Sequence, residues 1–250
     1  MEQRIKGTTG LLALIGSPVG HSGSPDMYNF CFRYHNLDYS YMAFDIKEDQ
    51  VPAALDAMRL FKMRGCNVTM PCKNKVAQCV DELSPAAKII GAVNTIVNED
   101  GKLVGHITDG IGFVRNLKEH GVDVKGKKMV VLGAGGAATA IQVQCALDGA
   151  REISIFNIKD AFFERTLQTA EKIRKAVPEC VVNVYDIADT AKMTEEIQDI
   201  FDEIRNIMQP DMDCTARYHA LDALLLRALK DRTRHSPVPQ EKGLDWQSQG

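Results

Sequence analysis

Short apolar runs alternate with helical periodicity along residues 1–200. The runs LLALIG, YSYMAFDI and EISIFN have the length and the β-branched or aromatic content of strands, and the segments between them repeat apolar residues every three or four positions. Strands that alternate with helices form β-α-β units, whose strands pair in parallel. We therefore predict an α/β fold with a largely parallel sheet.

The alternation is interrupted once and then restarts, which indicates two domains. Two strand-like segments flank EDGK, residues 99–102, a turn sequence typical of a β-hairpin. A helix that begins near Asp109 follows and ends at Gly121, and a new strand begins after about Lys125. We predict a first α/β domain over residues 1–112 and a second, Rossmann-like domain over residues 113–208.

Residues 209–250 follow neither pattern. They contain one segment with helical periodicity and then a polar, proline-bearing end that cannot bury much apolar surface. No strand pattern returns there, although a doubly wound domain would need further strands. We expect an atypical, partly disordered tail and an incomplete second domain.

Composition and charge narrow the class of partner. The 250 residues are 45% hydrophobic, and the formal net charge of −3 comes without a long block of like charge, so neither a nucleic acid nor a membrane is expected. The polar N-terminus and the lack of a long apolar run favour a cytoplasmic protein that binds a small molecule. Seven scattered cysteines without a C-x-x-C pair indicate reduced thiols and no metal site. The sequence does not indicate an oligomeric state.

A glycine-rich turn joins the first strand of the second domain to the helix after it. Gly133, Gly135 and Ala138 have G-x-G-x-x-A spacing in LGAGGAATA. In a dinucleotide-binding turn the first glycine permits the bend, the second lets a pyrophosphate approach the backbone, and the small third residue lets the helix pack closely. We predict a dinucleotide here, in preference to a turn that is glycine-rich for geometry alone.

The end of the next strand distinguishes the two nicotinamide dinucleotides. A carboxylate there accepts hydrogen bonds from a ribose 2′-hydroxyl, whereas a cationic side chain suits a 2′-phosphate. The segment FNIKD supplies both, as Lys159 and Asp160. Asp160 is equally suited to cap the helix that follows. The sequence therefore permits both NAD and NADP.

The segment NVTMPCK, residues 67–73, places a lysine at a helix start. Pro71 favours the first helical position and Met70 the cap, so Lys73 falls in the first turn. The helix dipole disfavours an ammonium there, which suits Lys73 to proton transfer. Asp109 begins another helix and is the candidate carboxylate partner, although it could simply cap that helix. A lysine that is merely solvated is the alternative for Lys73.

Hydroxyl groups crowd the loop after the first strand. Ser17, Ser22 and Ser24 lie in GSPVGHSGSPDMYN, with Pro25 at a helix start. Loops at the carboxyl ends of parallel strands commonly bind ligands, and several hydroxyls suit an acidic, hydroxylated small molecule. The alternatives are that Ser24 is an N-cap and that His21 is a structural hydrogen-bonding residue.

Five segments together resemble one known family, the shikimate and quinate dehydrogenases. GSPVGHSGSPDMYN, NVTMPCK, GAVNTIV, GHITDGIGF and LGAGGAATA occur in that family's order and approximate spacing. The resemblance covers about residues 1–200. It implies reversible hydride transfer between a nicotinamide and shikimate or quinate, in the pathway to chorismate and the aromatic amino acids.

The resemblance also implies roles for individual residues. Residues 1–112 would bind substrate, with Ser22 and Ser24 on its carboxylate, Thr69 and Asn94 as further contacts, and Lys73 with Asp109 as the acid-base pair. The implied cofactor-binding residues lie in the second domain and are Gly133, Ala134, Gly135, Gly136, Ala137, Asn157, Lys159 and Asp160.

The chain departs from the family pattern in two places. Members restricted to NADP usually carry an arginine just after the residue that matches Asn157, and this chain has Ile158, which resembles the branch that uses both NAD and NADP. The later strands and the Met-Leu-x-x-Gln segment of the family do not appear after Ile200. The alternative function is therefore a catalytically impaired remnant that still binds substrate.

Overall fold

The computed structural model describes residues 5–161 and 163–207. Its helices are α1 Ser24–Tyr34, α2 Val51–Leu60, α3 Lys73–Cys79, α4 Pro85–Ile90, α5 Asp109–Glu119, α6 Gly136–Leu147, α7 Phe163–Ala176 and α8 Thr190–Ile207. Its strands are β1 Gly10–Gly16, β2 Tyr39–Asp45, β3 Gly65–Val68, β4 Glu82–Leu83, β5 Thr95–Glu99, β6 Lys102–His106, β7 Lys128–Leu132, β8 Glu152–Asn157 and β9 Val181–Asp186. Residues 208–250 lie outside the described residues, and they include residues 209–250, for which we predict an atypical, partly disordered tail.

The first sheet is mixed, where the sequence predicts a largely parallel one. Its six strands have the order β2-β1-β3-β5-β6-β4. β1 pairs in parallel with β2 and with β3, whereas β5 runs antiparallel to both β3 and β6. The predicted hairpin accounts for the antiparallel pairing of β5 with β6. Asp100 and Gly101 both have positive φ, as a two-residue hairpin turn requires.

The second sheet is parallel, with the strand order β7-β8-β9, and this agrees with the predicted Rossmann-like pattern. β8 is the central strand, and Ile153, Ile155 and Phe156 on it are fully buried. α6 connects β7 to β8 and α7 connects β8 to β9. This β-α-β-α-β order explains why residues 153–156 of β8 are all buried, the polar Ser154 among them.

One hydrophobic core cluster includes residues from both sheets and from the helices between them. It contains Val68 and Ile96 of the first sheet, Val114 of α5, Val143 of α6 and Ile153 of the second sheet. A smaller cluster lies between α1 and β1-β2, around Phe32 and Tyr41. The described residues up to Ile200 form one compact unit. The division into two domains near residue 112 stays a prediction.

Several helix boundaries differ from the predicted ones. α3 ends at Cys79, although the helical periodicity of KNKVAQCVDEL, residues 73–83, predicts a helix that continues to Leu83. The chain turns early because the Asp81 carboxylate accepts the backbone N–H of Leu103 at 2.7 Å and pairs with Arg59 at 2.9 Å. This fixes residues 82 and 83 as the short strand β4 beside β6. The prediction also missed α4, a six-residue helix capped by the hydroxyl of Ser84.

A buried group of charges attaches α8 to the second sheet. Glu196 on α8 is 3% exposed. Its carboxylate accepts a hydrogen bond from the Ser154 hydroxyl at 2.6 Å and pairs with Lys128 at 2.9 Å and with Lys192 at 3.0 Å. These donors outweigh burial, which acts in the opposite direction, and lower the pKa of Glu196 from its ordinary value of 4.5 to about 2.

Replacing Glu196 with glutamine should therefore destabilise the fold. The free energy of unfolding should fall by about 1–3 kcal/mol at neutral pH, because Lys128 and Ser154 lose an ionised acceptor in a buried place. Because the pKa of Glu196 is lowered in the folded state, its carboxylate contributes stability above pH 4.5 that is lost as the pH falls toward 2. Glu196→Gln lacks this carboxylate, so it should lose less stability over this pH range than the parent. Urea unfolding at several pH values measures both effects.

Glu195→Gln is the matched control because the Glu195 side chain is 61% exposed and, among the described residues, pairs only with Lys192. It should change the free energy of unfolding by less than about 1 kcal/mol. Equal effects of the two substitutions would show that the buried charge group does not hold α8.

Candidate active site

The ends of β3 and β6 and the start of α3 meet at Asn94, just before β5. The backbone N–H of Val68 donates to the carbonyl of Asn94 at 2.8 Å, and the N–H of Asn94 donates to the carbonyl of His106 at 2.9 Å. The neighbouring Val93 N–H donates to the carbonyl of Lys73 at 3.0 Å. The end of β3, the start of α3 and the end of β6 are therefore held around one asparagine.

The Asn94 side chain links this meeting point to the start of α5. Its Oδ1 accepts hydrogen bonds from the backbone N–H of Thr108 at 3.1 Å, from the Thr108 hydroxyl at 3.2 Å and from the Thr95 hydroxyl at 3.0 Å. Thr108 is the N-cap residue of α5, and Asp109 follows it. Asn94 thereby fixes the loop that carries Asp109.

Lys73 is the first residue of α3, and its N-cap is Cys72. The prediction that Met70 caps and that Pro71 begins the helix is wrong, because residues 69–72 form a turn in which the Cys72 N–H donates to the Thr69 carbonyl at 3.1 Å. Cys72 is fully buried, and its thiol donates to the carbonyl of Ile46 at 3.1 Å. Burial, with Glu48 nearby, raises the pKa of that thiol, so Cys72 is a structural residue.

Lys73 and Asp109 lie at the starts of two different helices around Asn94. The Lys73 side chain is half-buried and the Asp109 side chain is exposed. In the described part of the chain these two side chains form no ion pair within 4.0 Å. Their assignment as an acid-base pair stays a prediction that rests on their shared position.

The serine loop lies beside Thr69. The Ser17 N–H donates to the carbonyl of Met70 at 2.9 Å, and the Thr69 N–H donates to the carbonyl of Ile15 at 2.9 Å. Gly16 allows this approach, because a Cβ there would lie 2.4 Å from Cγ2 of Thr69. The loop after β1 and the NVTMPCK segment therefore form one surface.

Ser22 and Ser24 occupy the last part of that loop. The Ser22 hydroxyl accepts the N–H of Ser24 at 3.2 Å, and α1 begins at Ser24 with Gly23 as its N-cap. Ser24 is therefore not the N-cap. The hydroxyl of Ser24 makes no hydrogen bond to any described residue, which leaves it available to a ligand.

The glycine turn at the start of α6 has the geometry that a dinucleotide needs. Gly133 has a φ of +99°, which side-chain-bearing residues rarely adopt. A Cβ added at Gly133, Gly135 or Gly136 would meet no protein atom within 4 Å, so the space in front of the turn is open. The N-cap of the twelve-residue helix α6 is Gly135, which has no side chain to bond the first N–H groups. The turn can therefore hold a pyrophosphate on backbone N–H groups, with Ala134 and Ala137 beside it.

The segment after β8 presents both predicted ribose contacts at the surface. Lys159 and Asp160 are exposed, as is Ile158 between them and Asn157. The Asn157 amide donates to the Thr166 hydroxyl at 3.0 Å, which holds the end of β8 against α7. α7 begins at Phe163, and the backbone N–H of Phe163 donates to the carbonyl of Asp160 at 3.1 Å. The ribose contact and the helix cap therefore both stay predictions for Asp160.

A surface groove lies elsewhere in the described residues. It has a volume of about 600 Å³ and is lined by residues of α1 and β2, among them Phe30, Arg33 and Tyr39. None of the predicted site residues lines this groove.

Sequence reasoning missed three residues that build the site. Asn67 and Tyr41 extend the hydrogen bonds of Thr95 into the sheet, and Gly110 brings α5 against α6. Asn67 could have been found, because it is the polar first residue of NVTMPCK. Tyr41 reads as an ordinary strand residue, and the packing of Gly110 depends on a helix 30 residues further along the chain.

No described helix is both long enough and apolar enough to cross a membrane. Within the same residues no three His, Cys, Asp or Glu side chains are grouped so that they could hold a metal ion.

The chain is similar in sequence to one protein family and to individual relatives. The family "Shikimate dehydrogenase substrate binding domain" matches residues 14–96. Shikimate dehydrogenase (NADP(+)) of Listeria monocytogenes is 49% identical over 195 residues, which are 78% of this chain and 67% of that relative. Quinate/shikimate dehydrogenase of Escherichia coli is 47% identical over 187 residues, 75% of this chain and 65% of the relative. The chain thus spans about two thirds of the length of these relatives.

A solved structure extends the comparison. The crystal structure of shikimate 5-dehydrogenase from Listeria monocytogenes in complex with shikimate and NAD has a TM-score of 0.75 and 48% sequence identity, and the match covers 79% of this chain and 68% of that one. A mixed sheet with polar residues around Asn94 and a parallel sheet with an open glycine turn define an α/β protein that has the turn of a dinucleotide-binding domain. The relatives identify it further, and the chain belongs to the shikimate dehydrogenase family.

Proposed function

We propose that the protein is a dehydrogenase that oxidises shikimate or quinate reversibly with NADP or NAD. The observation that carries this proposal is the meeting at Asn94 of the starts of α3 and α5, which places Lys73 and Asp109 around one asparagine at the edge of the first sheet. Relatives that share this segment are named shikimate dehydrogenase (NADP(+)) and quinate/shikimate dehydrogenase.

The residues around Asn94 suit a small hydroxylated acid. The hydroxyls of Ser22 and Ser24 can donate to a carboxylate, and charge-assisted bonds of this kind are stronger than neutral ones. Thr69 lies beside the serine loop, and Asn94 supplies an amide. We assign these four residues to substrate binding.

Lys73 and Asp109 supply the acid-base chemistry. When substrate is oxidised, Lys73 accepts the hydroxyl proton as the C–O bond becomes a carbonyl, and it returns the proton in the reverse direction. The carboxylate of Asp109 orients the lysine. Gly133, Gly135 and Gly136 would hold the pyrophosphate of the dinucleotide, whose nicotinamide would supply the hydride-transfer chemistry.

The proposal is tested by following reduction of NAD or NADP at 340 nm with shikimate and with quinate, beside calorimetric titration of each substrate. Turnover with either substrate supports the dehydrogenase. Binding without turnover favours the substrate-binding alternative, and the absence of both binding and turnover would contradict the proposal.

Replacing Asp160 with alanine should change the choice of cofactor. If its carboxylate accepts a hydrogen bond from the ribose 2′-hydroxyl, the loss should weaken NAD by about tenfold, whereas NADP should be affected little or should bind better, because a charge that repels the 2′-phosphate is gone. Lys159→Ala is the reciprocal control and should weaken NADP more than NAD. Dissociation constants for both dinucleotides measure the effect, and equal losses for both would contradict this role of Asp160.

A further inference from the structure

A chain of side-chain hydrogen bonds crosses the first sheet from β2 to Asn94. The Tyr41 hydroxyl lies 2.8 Å from Oδ1 of Asn67, Nδ2 of Asn67 lies 3.2 Å from the Thr95 hydroxyl, and that hydroxyl lies 3.0 Å from Oδ1 of Asn94. Tyr41 is buried, and its ring stacks on that of Tyr28 at a centroid distance of 4.5 Å. The three polar residues after it are half-buried. This series of hydrogen bonds therefore connects the buried Tyr41 to Asn94 in the candidate site.

One backbone group sets the donor-to-acceptor direction of every hydrogen bond in this series. The Thr108 N–H can only donate, so the Asn94 atom that faces it must be the oxygen Oδ1. The Thr95 hydroxyl faces the same oxygen and has a single hydrogen, which it must donate there. It must then accept from Asn67, whose Nδ2 faces it, so that Oδ1 of Asn67 accepts from Tyr41.

These hydrogen-bond directions determine which atom of the Asn94 amide can bind a substrate. Oδ1 already accepts three hydrogen bonds, whereas Nδ2 has no acceptor among the described residues. An asparagine amide can rotate by 180° with little change of shape, which would exchange donor and acceptor. The rotated state would place an NH₂ group against the Thr108 N–H, which can only donate. It would also take away the acceptor of the Thr95 hydroxyl hydrogen, while the oxygen of that hydroxyl already accepts from Asn67.

We propose that Thr95, held by Asn67 and Tyr41, is a positioning residue that keeps the Asn94 amide turned so that it presents only N–H donors to the substrate. The inference rests on the proposed function, because it holds that the Asn94 amide N–H groups donate to an oxygen atom of the substrate. A hydroxyl or carbonyl oxygen of a polyhydroxylated ring fits this requirement, whereas an ammonium group does not.

The test compares Thr95→Val with Thr95→Ser in the full chain. Valine keeps the shape of threonine and removes the hydroxyl, whereas serine keeps the hydroxyl. The dissociation constant and the KM for shikimate should rise about 3- to 10-fold in Thr95→Val, as expected for one neutral hydrogen bond. Thr95→Ser should stay within twofold of the parent, and kcat should change by less than twofold in both, because Thr95 does not act on the proton.

Asn67→Asp is a second variant that leaves Thr95 and Asn94 intact. A carboxylate accepts from both neighbours, so the Thr95 hydrogen turns away from Asn94 and the same loss of affinity should follow. If the parent binds neither shikimate nor quinate, the proposed function fails and this inference fails with it. If the parent binds and both Thr95→Val and Asn67→Asp bind equally well, the inference alone is overturned.

Discussion

Replacing Lys73 with alanine should lower the turnover of shikimate by about two to four orders of magnitude, because a general acid-base group typically contributes that much. The free energy of unfolding should change little, since the side chain is half-buried and makes no ion pair among the described residues. A first-turn cation adds little stability to its helix. Initial rates at 340 nm and a urea unfolding curve measure the two quantities separately.

Lys75→Ala is the matched control for this substitution. Lys75 lies two residues further along α3, is also half-buried, and by helix geometry points about 200° around the axis from Lys73. Its loss should change turnover by less than about threefold. Parental turnover in Lys73→Ala would remove Lys73 from the mechanism, and equal losses in the two variants would indicate a general effect on α3.

Replacing Gly110 with alanine should have the second largest effect. Gly110 follows Asp109 in α5 and is buried against α6. A Cβ there would lie 2.3 Å from the carbonyl oxygen of Ala140 and 2.6 Å from Cβ of Gln144, so one of the two helices must move. Overpacking of this kind costs about 1–3 kcal/mol of the free energy of unfolding. A shift of about 1 Å in Asp109 should lower turnover by about tenfold or more.

Gly112 offers a control on the same helix. A Cβ at Gly112 would meet no atom within 4 Å, so Gly112→Ala should keep turnover and raise the free energy of unfolding by up to about 1 kcal/mol through helix propensity. From the most to the least stable, the order should therefore be Gly112→Ala, the parent and Gly110→Ala. A Gly110→Ala protein as stable and active as Gly112→Ala would show that the contact between α5 and α6 is not close.

The sequence predicted the elements whose signals are local. The bounds of β8 could be predicted because an apolar run is bounded by polar residues, and the hairpin because Asp100 and Gly101 suit a turn that requires positive φ. The start of α3 could not, because it depends on the turn from Thr69 to Cys72. Its end depends on contacts of Asp81 with Arg59 and Leu103, which lie about 20 residues away in sequence.

The candidate site shows the same division. Asn94 and Lys73 lie in motifs that a reader can recognise, and the structure places both at one junction. The direction of the hydrogen bonds through Asn67 and Thr95 could not be predicted, since it follows from strand register across β3, β5 and the start of α5. The role of Gly110 likewise requires α6 to be in place, because glycines within a helix look alike in sequence.

The central claim is that shikimate binds at the junction around Asn94. A titration of isotope-labelled protein with shikimate, followed by NMR of backbone and asparagine side-chain amides, tests it most directly. We expect the Asn94 side-chain NH₂ signals and the Thr108 backbone N–H signal to shift together and to saturate with one dissociation constant. Shifts confined to the groove of α1 and β2, or saturable binding that leaves both the Asn94 and Thr108 signals unchanged, would contradict the claim.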